Sequence, residues 1–134
     1  QERPMSAMTS SDFEDWLDKY GQAWERGDAE GAIRLFTDNA NYYETPFDNP
    51  MIGHEVIRKY WSEGAGQSQK DVQFSYQILA VGEDFGIARW QAKFVRVPSG
   101  NQVSLDGVLV SSFDEQGKCK VFREWWHRVE LEGV

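Results

Sequence analysis

From Phe13 the apolar residues recur as Phe13, Trp16, Leu17, Tyr20 and Trp24 with polar residues between them, the spacing of one face of an amphipathic helix. Ser11, followed three residues later by Glu14, supplies a capping box to start it, and Gly27 ends it. Asp28 caps a second helix whose inner face is Ala29, Ala32, Ile33 and Phe36, so the pattern predicts a helix hairpin. Residues 41–47, NYYETPF, read as a short strand that Pro46 and Pro50 interrupt. Gly53 then opens a third helix carrying Val56, Ile57, Tyr60 and Trp61, and GAGQSQ, residues 64–69, reads as a flexible loop.

After Asp71 the period changes to two. Residues 72–81, 86–97, 103–113 and 118–131 are strand-length runs separated by GEDF, PSGN and DEQG turns, which predicts a meandering antiparallel sheet. Helices first and strands afterwards give an α+β domain, with three N-terminal helices packed on one face of a curved, mainly antiparallel sheet. A single domain is expected over residues 11–134, preceded by a disordered tail over residues 1–10. Ala88, Trp90, Ala92 and Phe94 alternate with Arg89, Gln91 and Lys93, so the first set is expected to face inward. Two alanines beside a tryptophan leave room that a helix side chain fills or that stays open as a pocket.

Composition narrows the function classes. The 134 residues carry a net charge of −8 without a Lys/Arg cluster, which would repel a nucleic-acid backbone. No run approaches the roughly 18 apolar residues of a membrane span, and QERPMSAMTSS has no apolar centre of the secretory type, so a cytoplasmic protein with no membrane partner is expected. Cys119 is the single cysteine, no Cys/His spacing resembles a zinc site, and neither a phosphate-binding glycine loop nor a G-x-S-x-G elbow is present. No metal and no cofactor are therefore expected. Six tryptophans in so short a chain suit a pocket lined by aromatics, with a small hydrophobic ligand as partner.

The densest chemistry lies in FREWWH, residues 122–127. In one register Phe122, Glu124 and Trp126 line the interior while Arg123, Trp125 and His127 face outward. A one-residue slip puts Trp125 and His127 inside instead.

The order of a helix hairpin with a Gly27-Asp28 turn, Y-x-E-T-P-F, Pro50-x-x-Gly53, a third helix and four strands resembles the nuclear transport factor 2-like, or SnoaL-like, superfamily, from about Phe13 to Leu131. The resemblance implies a cone-shaped, cystatin-like α+β fold. It also implies a range of activities, since the superfamily includes steroid Δ-isomerase, polyketide cyclases, scytalone dehydratase, limonene epoxide hydrolase and non-enzymatic binders. Against steroid isomerase, Tyr20 falls at the oxyanion tyrosine, seven residues before Gly27. An ungapped count from Ala40 to Gly53 puts Glu44 at the base, whereas aligning the Pro-Phe pair puts Thr45 there. Trp61 stands where the isomerase has a supporting tyrosine, and Trp126 at its pocket tryptophan, with Phe122, Glu124 and Arg128 on the same face by period two. The second oxyanion acid is replaced by Leu109, which argues against the isomerase's own chemistry.

Each candidate has a plainer reading beside the catalytic one. Glu44 is a proton acceptor if buried against aromatics, or a solvated carboxylate at a strand end. Glu124 is a functional acid or the partner of Arg89 or another strand-borne cation in a salt bridge. Asp106 points into the cavity if Gly107 makes a bulge, and outward if Leu109 faces in. Tyr20 donates to a ligand oxygen or is a satisfied core tyrosine. His54 reads as an exposed helix-terminal residue. Trp61, Trp90, Trp126, Tyr43, Leu109, Phe122 and Trp16 are the expected ligand contacts.

Together these residues lead to the expectation of a cofactor-independent lyase, isomerase or hydrolase acting on a hydrophobic, carbonyl-bearing or polycyclic compound. The alternatives are a binding module without chemistry, or an association domain that dimerises through the outer sheet face of Arg89, Gln91, Lys93, Trp125 and His127.

Overall fold

The apolar stripe that begins at Phe13 becomes α1, Ser10–Arg26, with Phe13, Leu17 and Tyr20 buried beneath it. The computed structural model describes residues 7–133. Thr9, not Ser11, caps the helix: its hydroxyl accepts from the Asp12 amide at 3.1 Å, and the Asp12 carboxylate accepts from the Thr9 amide at 3.1 Å. The start moves back because Met8 is buried and its amide donates to the Glu83 carbonyl at 2.8 Å, which anchors the chain ahead of the first turn. Met8 to Ser10, expected in the tail over residues 1–10, are thus part of the folded domain, and the first six residues of that range lie outside the described ones.

Gly27 ends α1 at φ 64°, a left-handed conformation in which its amide reaches the Ala23 and Trp24 carbonyls. Asp28 then caps α2, Ala29–Ile33. Phe36 does not extend that helix. It begins β1, Phe36–Tyr43, because the Leu35 carbonyl accepts from the Trp16 indole at 3.0 Å and from the Cys119 amide at 2.8 Å, which draws the chain onto the sheet. β1 thus starts earlier than the NYYETPF pattern predicts and stops before Glu44. β2, Met51–Ile52, pairs back on it, and α3, His54–Trp61, follows.

The glycine-rich segment after α3 is a π-helical turn, Ser62–Ser68, where the sequence predicts a loop. Its buried Ala65 holds it against the helix hairpin, and a Cβ at Gly27 would lie 2.9 Å from the Ala65 carbonyl oxygen. Four long strands complete the chain: β3 (Gln69–Val81), β4 (Phe85–Arg96), β5 (Gln102–Phe113) and β6 (Cys119–Leu131).

These strands and the first two form one six-stranded sheet in the order β2-β1-β6-β5-β4-β3, with β1 parallel to β6 and every other pair antiparallel. It is a curved, mixed, mainly antiparallel sheet with the three helices on one face, an α+β fold. The inward set Ala88, Trp90, Ala92 and Phe94 is buried and its alternates Arg89, Gln91 and Lys93 are exposed, as their alternation predicts. Among the described residues no helix is long and apolar enough to cross a membrane.

One irregularity controls the facing of β6. Phe113 pairs with Cys119 and Ser112 with Val121, so Lys120 is an extra residue on β6, a β-bulge. Cys119 and Phe122 consequently both point into the core despite their odd spacing. Beyond the bulge Phe122 and Glu124 are buried and Trp126 is half-buried, while Arg123, Trp125 and His127 face outward.

Candidate active site

Between the helices and the sheet lies a cavity of about 370 Å³. α1 contributes Tyr20 and Trp24 to its wall, β1 and the residue after it Tyr42 and Glu44, and α3 Tyr60 and Trp61. From the sheet come Trp90, Phe94 and Arg96 on β4, Leu105 on β5, and Glu124, Trp126 and Arg128 on β6. Glu63, Gly64, Ala65 and Ser68 of the π-helical turn and Gln69 at the start of β3 close one side, where the Gln69 side chain accepts from the Trp24 indole at 2.7 Å.

Glu124 is the chemical centre of this wall. At 6% exposure it is the one charged side chain among the described residues that is buried. The alternation of β6 beyond the bulge forces it inward, and no salt bridge among the described residues involves it. Burial, and after it the neighbouring Glu44 charge, raises its proton affinity well above the ordinary carboxylate range, because the ionised form is desolvated without a compensating cation. Burial thereby shifts the balance toward the neutral acid. Arg89, a partner considered for it, lies on the opposite face and forks instead onto Asp106 at 2.6 and 3.1 Å.

Three tyrosines surround the two carboxyl groups. The Tyr42 hydroxyl interacts with that of Tyr20, and the Tyr60 hydroxyl with the Glu44 carboxylate. Burial, with Glu124 nearby, holds the ionisation of Tyr20 and Tyr60 far above the usual phenol range, so both stay protonated donors. Burial does the same to Tyr42. The Trp126 indole donates to the Glu44 carbonyl at 3.1 Å, tying the end of β1 to β6 and fixing where the Glu44 side chain starts. The indole N–H groups of Trp61 and Trp90 are buried without a protein acceptor.

The structure brings Glu44, Tyr20, Glu124, Trp61, Trp90 and Trp126 together on one cavity wall. Asp106 is not among them. β4 and β5 pair without a bulge at Gly107, so its side chain stays on the outer face, where hydrogen bonds from Arg89 and Gln91 lower its pKa to about 2. Trp16 belongs to the core beyond the cavity, its indole N–H taken by the Leu35 carbonyl. Tyr43 also turns away, with the Arg123 guanidinium 3.9 Å from its ring centre. Leu109 and Phe122 are fully buried behind the wall, and Phe122 packs against Tyr20 and Tyr42 with ring centres 5.5 and 4.6 Å apart.

Trp24, Tyr42, Tyr60 and Arg96 are wall residues that sequence reasoning did not single out as ligand contacts. Trp24 and Tyr60 were legible as inner-face helix positions, and Tyr42 precedes Glu44 by one strand period. Periodicity shows that such residues are inside, not whether they meet a cavity or a neighbour. Among the described residues there is no group of three or more His, Cys, Asp and Glu side chains arranged to hold a metal ion. The His54 ring is engaged at 2.9 Å with the Phe36 carbonyl.

Residues 13–122 match the SnoaL-like domain family. Among solved structures the chain is similar to SalBIII, an epoxide hydrolase/cyclase-like enzyme described for its role in pyran ring formation in the polyether salinomycin. The two share 18% identity over 90% of this chain and 95% of that one, with a TM-score of 0.76, a likeness of fold. With the match running from α1 into β6 and the three helices closing a cavity over a mixed sheet, the chain belongs to the SnoaL-like family of the nuclear transport factor 2-like superfamily.

Proposed function

We propose that this protein is a cofactor-independent acid–base enzyme that moves a proton on a hydrophobic, carbonyl-bearing compound. The observation that carries this reading is Glu124, a buried carboxyl group without a counter-ion on an aromatic cavity wall that also holds a second carboxylate, Glu44. A carboxyl group kept neutral can donate a hydrogen bond, and a carboxylate near it can accept a proton, so two like groups take opposite roles.

In the proposed cycle Glu44 takes a proton from the carbon beside the carbonyl. The C–H electron pair moves into an enolate whose oxygen accepts from Glu124 and Tyr20, and Glu44 returns the proton to the same carbon or to a conjugated one. Trp61, Trp90 and Trp126 hold the apolar body. Leu109, which replaces the acid expected from the resemblance to steroid isomerase, pairs directly across the strands with Glu124. A carboxyl group one strand away thus supports the same donor role.

The test is deuterium incorporation from heavy water into a panel of cyclic ketones and enones, read by mass spectrometry. Wild-type protein is expected to accelerate incorporation, and Glu44→Gln to abolish the acceleration. Binding without any incorporation across the panel would instead make the cavity a carrier site.

A second reading concerns the outer face of the sheet. Trp125, Val129 and Leu131 on β6 are 43%, 61% and 60% exposed and point to the same side, which suits coverage by a second copy of the chain. Sedimentation velocity is expected to show a dimer that Trp125→Ala weakens, and a concentration-independent monomer would remove this reading.

A further inference from the structure

The cavity wall is not uniform along β6. Glu124, Trp126 and Arg128 follow one another on its inner face, so the backbone positions of the buried acid and the arginine are roughly 14 Å apart at about 3.4 Å per residue. An aromatic stretch lies between a neutral acid at one end and a cation at the other.

The arginines at that outer end are not equivalent. Arg96 is bound by both Nε and Nη2 to the Glu130 carboxylate at 3.1 Å, and Asn101 adds a third donor to the same group at 2.9 Å. Glu130 is therefore occupied, and these donors hold it ionised, with its pKa lowered. Arg128 reaches Glu130 only at 3.9 Å, an ion pair without a hydrogen bond, and its side chain is 52% exposed. Two guanidinium groups thus share one carboxylate, and among the described residues Arg128 makes no side-chain hydrogen bond. Glu63 also belongs to the rim, but no ion pair joins it to either arginine among the described residues.

Resting on the reading of this cavity as a substrate site, we infer that the substrate carries an anionic group, a carboxylate in the simplest case, at the end remote from the reacting carbonyl, and that Arg128 is the residue that selects it. A guanidinium binds a carboxylate through two parallel hydrogen bonds, and a low-dielectric aromatic wall beside it strengthens the attraction. The rest of the molecule works against this choice. The chain has a net charge of −8 and Glu44 lines the same cavity, so without a local cationic site an anion would bind more weakly than its neutral analogue.

The matched probes are 2-naphthylacetate and 2-naphthylacetamide, alike in ring and size and differing in charge. Calorimetric titration is expected to show the carboxylate bound about tenfold more tightly by the wild-type protein, a preference that shrinks toward about 0.5 M salt. Arg128→Gln should remove the preference while leaving amide affinity unchanged, which also shows that the variant is folded. Arg128→Lys should keep part of it.

Equal affinities, tighter amide binding, or equal weakening of both probes by Arg128→Gln would overturn the inference, and so would binding of neither probe at millimolar concentration. The readout does not depend on turnover. A carboxylate preference in a wild-type protein that fails to exchange deuterium would retain the anion site while removing the proposed chemistry.

Discussion

Glu44 and Glu124 line the same aromatic cavity, and the charge on the first raises the proton affinity of the second. Their surroundings differ: Glu124 is enclosed by the sheet and helices, whereas Glu44 is half-buried beyond the end of β1 and receives the Tyr60 hydroxyl. Two identical functional groups are thus set apart chiefly by solvation, and among the described residues no cationic side chain forms an ion pair with either.

Burial of Glu124 has a cost in stability with a definite sign. Its native pKa lies above the unfolded value, so between those two values the unfolded chain binds fewer protons and stability falls as pH rises. Each pH unit of that window costs about 1.4 kcal/mol. Glu124→Gln escapes this, so its Tm should exceed that of the wild type near pH 8, by about 4 °C for each kcal/mol, and the difference should close below about pH 4. Parallel Tm profiles for the two proteins would show that Glu124 ionises normally in the fold.

Removing the Glu44 charge leaves burial as the larger influence on Glu124. In Glu44→Gln the Glu124 carboxyl carbon, followed by 13C NMR, should titrate at lower pH than in the wild type yet still above the ordinary carboxylate range. Catalysed exchange should fall about 100-fold or more in the same variant, the usual contribution of a general base. In the wild type, exchange should decline on the alkaline side as Glu124 loses its proton.

Tyr20→Phe removes a donor from the same wall. The expected result is a kcat lowered by about 100-fold with KM little changed, since an oxyanion donor acts mainly in the transition state. A stability loss of about 1 kcal/mol should accompany it, because the buried Tyr42 hydroxyl loses its partner. Urea unfolding and steady-state kinetics separate the two effects.

Gly27→Ala tests the latch between the helix hairpin and the π-helical turn. At φ 64° and with the Ala65 carbonyl oxygen 2.9 Å from the new Cβ, the variant should lose about 1–3 kcal/mol in urea unfolding. Naphthyl probes should bind it more weakly, because Ala65 lines the cavity.

The fold was legible where burial repeats. The Phe13 to Trp24 stripe and the alternation through Trp90 each record one face against a core, and that requirement leaves a period in the letters. Phe36 was misread because it continues the spacing of Ala29, Ala32 and Ile33, while the hydrogen bonds that draw Leu35 onto the sheet come from Trp16 and Cys119, distant in the chain. The site was legible as a set of candidates rather than as a constellation. Trp16 and Trp61 obey the same helical spacing, and only tertiary packing sends one into the core and the other to a cavity. Asp106 carried its outward reading in its parity with Leu109, but the Arg89 guanidinium that claims it is set by the register of β4 against β5.

Lys120 does not line the cavity, yet the bulge it makes in β6 decides which side chains the cavity contains. Were Lys120 instead paired in a regular ladder after Cys119, without the bulge, the opposite parity would turn Trp125 and His127 inward and expose the carboxyl group. One strand therefore encodes two faces, one with a shielded acid and one with an imidazole, and a bulge on the surface selects between them. Changes that smooth this bulge into the ladder, more than substitutions in the cavity, offer a short route to a different set of side chains on the wall of this scaffold.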